Sequence, residues 1–165
     1  MKSNVLSSVK VADEVWIATA LLHREHPKAI DFSIEQIVGR ARQEALREPL
    51  RPGVYVHVVS HCVANRAANP GRYRMLFETL EGRRRLYRPG DPYHPSREGS
   101  KVTPEADDFP SGYGNLLDWY REWSERAAED LVKNDPLLQA QGSGKHLWAD
   151  EHADEYVRRL REGWE

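Results

Sequence analysis

His57-x-x-x-His61, with Cys62 directly after it, is the grouping whose residue types suggest chemistry most directly. Histidines four residues apart share a helix face and could share a zinc ion, and a cysteine beside a histidine is the raw material of a nucleophile. Neither reading completes itself. There is no second cysteine and no His-x-x-x-Glu pattern nearby, and Cys62 falls on the opposite, apolar side of a helix carrying the two histidines. A Walker loop, a Gly-x-Gly-x-x-Gly after a strand and a Gly-x-Ser-x-Gly elbow are all missing. Glu105, Asp107 and Asp108 lie in a proline-rich stretch and read as solvated linker. The expectation is a chain with no catalytic residues, no bound metal and no cofactor, so that its function lies in binding.

The charges indicate where binding would occur. Residues 51 to 97 hold nine arginines against Glu78, Glu81 and Asp91, a surplus of six positive charges. From 101 onward eight lysines and arginines meet fifteen acids, so the net charge of -2 conceals two opposed halves. A basic half of this kind suits nucleic acid; its plain alternative is a solvated arginine-rich surface.

The elements that must position these residues follow from periodicity. Val11, Val15, Ala18 and Leu22, widened by Ile17 and Leu21, make the stripe of a first helix over 9–25, ended by His26-Pro27. Ser33 and Gln36 form a capping-box pair, Phe32 and Ile37 can staple across the cap, and Ile34, Ile37, Val38, Ala41 and Ala45 line a second helix. Segment 52–65 is rich in β-branched residues, yet its spacing predicts a third helix, with Pro52 in the first turn. His57, Ser60, His61, Ala64 and Asn65 share its polar face, and Tyr55, Val56, Val58, Val59, Cys62 and Val63 the apolar one. After Asn69-Pro-Gly71, the runs 73–80 and 83–88 flank Glu81-Gly82 as a hairpin whose glycine can take positive φ. Pro89, Pro92, Pro95, Pro104 and Pro110 mark a loop, and Leu116, Tyr120, Trp123, Ala127 and Leu131 give a fourth amphipathic helix of about five turns.

Three helices and then a hairpin is the order of a winged helix, in which the third helix enters the major groove and the hairpin touches backbone or minor groove. On that reading His57, Ser60, His61 and Asn65 face base edges, and Arg66, Arg72 and Arg74 hold phosphates. Arg83, Arg84 and Arg85, at or beside the hairpin tip, reach the backbone or a narrow minor groove. The first hundred residues also resemble a bacterial winged-helix family, through Glu14-Val-Trp, Arg51-Pro-Gly-Val-Tyr-Val-His, His61-Cys-Val-Ala-Asn-Arg, Asn69-Pro-Gly-Arg-Tyr-Arg-Met-Leu and Tyr87-Arg-Pro-Gly-Asp. The resemblance implies the fold and names no ligand, since winged helices also mediate protein contacts.

The last residues form an amphipathic segment. From Ala153, the residues Tyr156, Val157, Leu160 and Trp164 make one helical stripe, with Asp150 to cap it, acids in its first turn and Arg158, Arg159 and Arg161 toward its end. Asp135-Pro-Leu-Leu, Gly142-Ser-Gly-Lys-His-Leu-Trp and Asp154-Glu-Tyr-Val-Arg-Arg-Leu-Arg-Glu-Gly-Trp together resemble the C-terminal tails of bacterial type II antitoxins that neutralise PIN-domain ribonuclease toxins. The resemblance spans 135–165 and implies a toxin-binding set of Leu137, Leu138, Lys145, Leu147, Trp148, Tyr156, Val157, Arg158, Arg159, Leu160, Arg161 and Trp164. It also implies that Lys145, Arg158, Arg159 or Arg161 enters the toxin's acidic, metal-binding centre. In one respect the chain departs from that class, whose tails go mainly with small AbrB-like or ribbon-helix-helix heads.

The resulting expectation is a mainly helical α+β protein, with a winged-helix-like head over 1–100, a Pro/Gly-rich linker over 101–112, a connecting or dimerisation helix over 113–133 and a toxin-binding tail over 134–165. Its expected partners are a PIN-domain toxin, operator DNA and a second copy within a dimer or larger toxin–antitoxin assembly, with no membrane. Trp119, Tyr120 and Trp123 serve either dimer contact or packing on the head. The alternative is a standalone winged-helix DNA-binding protein, or an interaction scaffold, whose tail packs on itself. A mean hydropathy of -0.74, a start without a signal-peptide core and a single cysteine make the cytoplasm the expected compartment.

Overall fold

The computed structural model describes residues 9–144 and 153–162. Among these the chain is mainly helical with one two-stranded antiparallel sheet. It falls into two units, one ending at Ser124 and the other beginning at Glu125.

The first helix, α1 (Val11–Glu25), is buried on every side from Ala12 to His23. Its run Val15-Trp-Ile-Ala-Thr-Ala-Leu-Leu22 has no polar face, and a helix apolar all round can only stand inside a core. Thr19 is accommodated by donating its hydroxyl to the Val15 carbonyl at 2.8 Å. Helix α2 (Ile34–Glu44) opens with both halves of the capping box: the Gln36 N–H donates to Ser33 Oγ at 3.1 Å, and the Ser33 N–H to Gln36 Oε1 at 2.8 Å. Ile37 and Ala41 carry its buried stripe. Ala45, expected on that stripe, is instead the left-handed C-cap (φ 53°) and stands exposed.

The third helix is shorter than 52–65. Four α-helical residues, α3 (Gly53–Val56), run into a π-helical stretch over His57–His61, and the chain leaves at Cys62 to meet the sheet. There the Ala64 N–H donates to the Leu76 carbonyl at 2.7 Å and the Leu76 N–H to the Cys62 carbonyl at 2.8 Å. Val54 and Val58, four apart, fill the core contact, so Tyr55 and Val56 project past it and are exposed rather than apolar-face residues. The strands β1 (Leu76–Glu78) and β2 (Arg84–Leu86) pair with Leu76 opposite Leu86 and Glu78 opposite Arg84. Their turn bears Gly82 at φ 71°, the left-handed region that the glycine was expected to reach, and Glu81 shares it at φ 62°. Phe32, between α1 and α2, adds a bridge to β2: its N–H and carbonyl exchange hydrogen bonds with Arg84, both at 2.8 Å.

Residues 101–112 belong to the first unit and do not separate domains. Lys101 accepts a backbone bond from Arg74, Lys10 pairs with Asp108 at 2.7 Å, and Phe109 meets Trp16 edge-on at 5.7 Å. Helix α4 (Asn115–Lys133) begins here. Leu116 and Tyr120 are buried in this core and Trp119 and Trp123 pack half-buried against it, so the aromatic group serves packing in this chain. The second unit holds the end of α4, the short α5 (Pro136–Gln139) capped by Asp135, and α6 (Ala153–Glu162). No helix among the described residues is long and apolar enough to cross a membrane.

Candidate functional site

The third helix ends on two buried arginines. Arg84, on β2, donates Nε to the Val58 carbonyl at 3.1 Å and Nη2 to that of Val59 at 3.2 Å. Arg97 donates Nη2 to the Ser60 carbonyl and Nη1 to that of His61, each at 2.8 Å. Four successive carbonyls of the π-turn are thus capped by two guanidinium groups contributed from far along the chain. Arg97 reaches further, to the carbonyls of Arg66 (2.6 Å), Tyr73 (2.7 Å) and Ala67 (3.3 Å). Both side chains are enclosed, Arg97 completely and Arg84 to 1% exposure, and burial lowers the pKa of each.

This arrangement corrects the assignment of Arg84 and Arg85 to the DNA backbone or a narrow minor groove. Arg84 is inside the protein, Arg85 is buried and forks onto Asp91 at 2.6 and 2.8 Å, and Arg83 holds Asp31 at 2.5 Å. Other expected contacts are also engaged. The Asn65 amide clasps the Glu78 backbone, accepting its N–H at 2.8 Å and donating to its carbonyl at 2.9 Å, which occupies the edge that would read adenine. Arg66 forks onto the Glu78 carboxylate at 2.5 and 2.8 Å. Arg74 lies over the Tyr93 ring at 4.3 Å and donates to the Ser100 carbonyl. Arg51 pairs with Glu14 at 2.6 Å and Arg88 lies over Trp123 at 4.5 Å, so eight of the nine arginines between 51 and 97 are engaged. Arg72 is exposed and remains available. Two of the balancing acids, Glu14 and Asp31, lie outside the basic segment, Arg84 and Arg97 are engaged by backbone carbonyls, and Arg74 and Arg88 lie over aromatic rings, so its charge surplus does not become a free cationic face.

His57, Ser60 and His61 are brought together half-buried on the third helix. The imidazoles meet edge-on at 4.7 Å, and His57 Nδ1 is bonded to the Gly53 carbonyl at 2.8 Å. Burial lowers the His57 pKa. No third His, Cys, Asp or Glu joins them in a group fit for a metal among the described residues. Gly71 passes so close that a Cβ there would fall 2.6 Å from His61 Cβ, so backbone shuts one side of this pair. Cys62 is fully buried and its thiol pKa is pushed far up, which makes it a poor nucleophile.

Sequence reasoning missed the burial of three ionisable groups of α1, of which Glu14 is paired with Arg51. Asp13 is 2% exposed, its Oδ2 has no partner among the described residues, and burial together with Asp108 raises its pKa to about 6. His23 is 2% exposed, accepts the Leu86 N–H at 3.3 Å through Nε2, and is lowered to about 3 by burial and by Arg88 and Arg85. The signal was the unbroken apolar run of α1, which leaves no outward face for any of them.

The second unit presents the opposite pattern. Leu131, Val132, Leu137, Leu138, Val157 and Leu160 are 43–83% exposed. On α6, Asp154 and Glu155 occupy the first turn and Arg159 and Arg161 the last, each sign at the helix end that favours it. Tyr156 is half-buried with Arg159 over its ring at 5.5 Å, and Arg158 is exposed. Lys145, Leu147, Trp148, Asp150 and Trp164 lie outside the described residues. Comparison with family models, curated proteins and solved structures finds no match. The functional reading therefore rests on these residues.

Proposed function

We propose that this chain is a neutralising antitoxin whose second unit docks a PIN-domain ribonuclease and whose head, winged-helix-like in its order of elements, contacts operator DNA. The observation that carries the reading is the set of six exposed aliphatic side chains on the second unit, whereas in the head most apolar residues are enclosed and Ile30, Tyr55, Val56 and Leu80 stand out. The order α1, Phe32 bridge, α2, third helix and hairpin supports the winged-helix part. For DNA the head offers Arg72, the partly exposed histidines, and Arg66 when it exchanges Glu78 for a phosphate; this is a small cationic set.

Magnitudes show how the tail must work. Full burial of an aliphatic side chain contributes about 1.5–3 kcal/mol, so the six, roughly half exposed already, supply on the order of 7 kcal/mol gross. Association costs about 4–15 kcal/mol. The aliphatic row alone therefore gives a weak complex, and tight neutralisation requires the aromatic residues Trp148 and Trp164 together with a basic side chain set into the toxin's acidic centre. Inhibition then comes from occupying the nuclease, with no chemistry in this chain. The test is RNA cleavage by a PIN-domain ribonuclease encoded in the adjacent reading frame. The full chain should suppress cleavage, and the double variant Val157→Asp, Leu160→Asp should not. Equal suppression by both chains would refute the assignment.

A further inference from the structure

We infer that the cleft beside the C-terminus of α2 binds a small organic oxyanion, a carboxylate or a phosphate. This cavity of about 600 Å³ is lined by Arg42, Arg47, Glu48, Pro49 and Leu50. It falls within the roughly 300–1,000 Å³ typical of small-molecule sites. The inference is independent of the tail.

The arginines around the cleft supply the contrast that motivates it. Arg40 is held by Glu25 and Glu44, and Arg51 by Glu14. Between them in sequence, Arg42 and Arg47 both line the cleft with no acid partner among the described residues. Arg42 is exposed and Arg47 half-buried, so their terminal guanidinium nitrogens, and not the enclosed Arg47 Nε, are the donors a ligand in the cleft would meet. A carboxylate or phosphate fits, because the planar guanidinium fork presents paired donors to either oxyanion.

The remaining wall narrows the ligand. Pro49 and Leu50 offer apolar surface to a carbon skeleton. The Glu48 carboxylate would accept a hydrogen bond from an N–H or O–H of the ligand and would repel an extended polyanion, so the site suits a small molecule. The last carbonyls of α2 disfavour an anion by about half a charge, which two guanidinium groups outweigh.

The test uses the full chain, labelled with ¹⁵N, and follows the Arg47 Nε–Hε signal and the Glu48 and Leu50 amides. Inorganic phosphate, sodium acetate and, as control, sodium chloride at matched ionic strength are added in parallel. A saturable shift with phosphate, with acetate or with both supports the site and identifies the oxyanion it takes. Arg42→Gln and Arg47→Gln should each weaken that binding about 10- to 100-fold, as expected on losing a charged hydrogen bond. Unchanged amide signals for Trp16 and Ile37 would show that both variants are folded. Shifts that match those in chloride, or that stay linear with concentration, overturn the proposal; so does unaltered binding in both folded variants.

Discussion

Replacing Arg97 with alanine removes the donor for five backbone carbonyls at once, those of Ser60, His61, Arg66, Ala67 and Tyr73. A hydrogen bond from a charged donor is worth about 1.5–3 kcal/mol. Five taken at face value would rival the about 5–15 kcal/mol stability of an entire domain. The sum is not realised, because enclosing the guanidinium itself costs several kcal/mol and water enters the vacated space. Measured losses on breaking a buried ionic contact, about 3–5 kcal/mol, are the better guide. The expected effect of Arg97→Ala is a loss of that size, which for the unit ending at Ser124 corresponds to a melting point lower by about 10–20 °C. Lysine brings three donors from a point charge and cannot serve five carbonyls spread around a planar group, so Arg97→Lys should recover only about half. The assay is urea denaturation followed by tryptophan fluorescence, with exposed Arg72→Ala as a control expected within about 0.5 kcal/mol of the parent. A loss below about 1 kcal/mol for Arg97→Ala, or full recovery with lysine, would refute the hub.

Acid and base should act on α1 in opposite directions. His23, lowered to about 3 from 6.5, stays neutral in the fold while the unfolded chain protonates, so stability present above pH 6.5 is lost as pH falls toward 3; His23→Gln should flatten that limb. Asp13, raised to about 6 from 3.8, contributes most below pH 3.8 and loses that contribution as pH rises through 6; Asp13→Asn should gain up to about 3 kcal/mol above pH 6, read by denaturation at pH 5 and 8. Cys62 should resist a thiol-reactive dye in the folded chain and react once urea unfolds it, and fast labelling without urea would contradict its burial. Duplex DNA titrated by fluorescence anisotropy should give a slope of log affinity against log salt of about -1 to -2, as one or two phosphate contacts require; about -4 or steeper would mean that Arg83, Arg84 and Arg85 leave their partners to bind DNA.

Local signals carried further along this chain than global ones. The capping box at Ser33 and Gln36 and the positive φ at Gly82 depend on neighbours a few residues away and appear as expected. Segment 52–65 shows the opposite case. Its periodicity gave a helix, but its length and π-turn are set by Arg84 and Arg97, whose reach to Val58, Val59, Ser60 and His61 no window of the sequence contains. The arginine count misled for a related reason, since Asp31, which holds Arg83, and Glu14, which holds Arg51, lie upstream of the basic stretch. Proline content likewise suggested a linker over 101–112, whereas Phe109 packs on Trp16 and Asp108 on Lys10, contacts some hundred positions apart. For the tail, the spacing of Tyr156, Val157 and Leu160 marked both the helix and its apolar stripe.

Hydrogen exchange of the full chain, alone and with the partner ribonuclease, tests the docking claim most directly. Slowed exchange over 153–162 and 131–138, with the α1 and α2 amides unchanged, is the expected result. Protection confined to the head, or none anywhere at concentrations where the nuclease is inhibited, would contradict it.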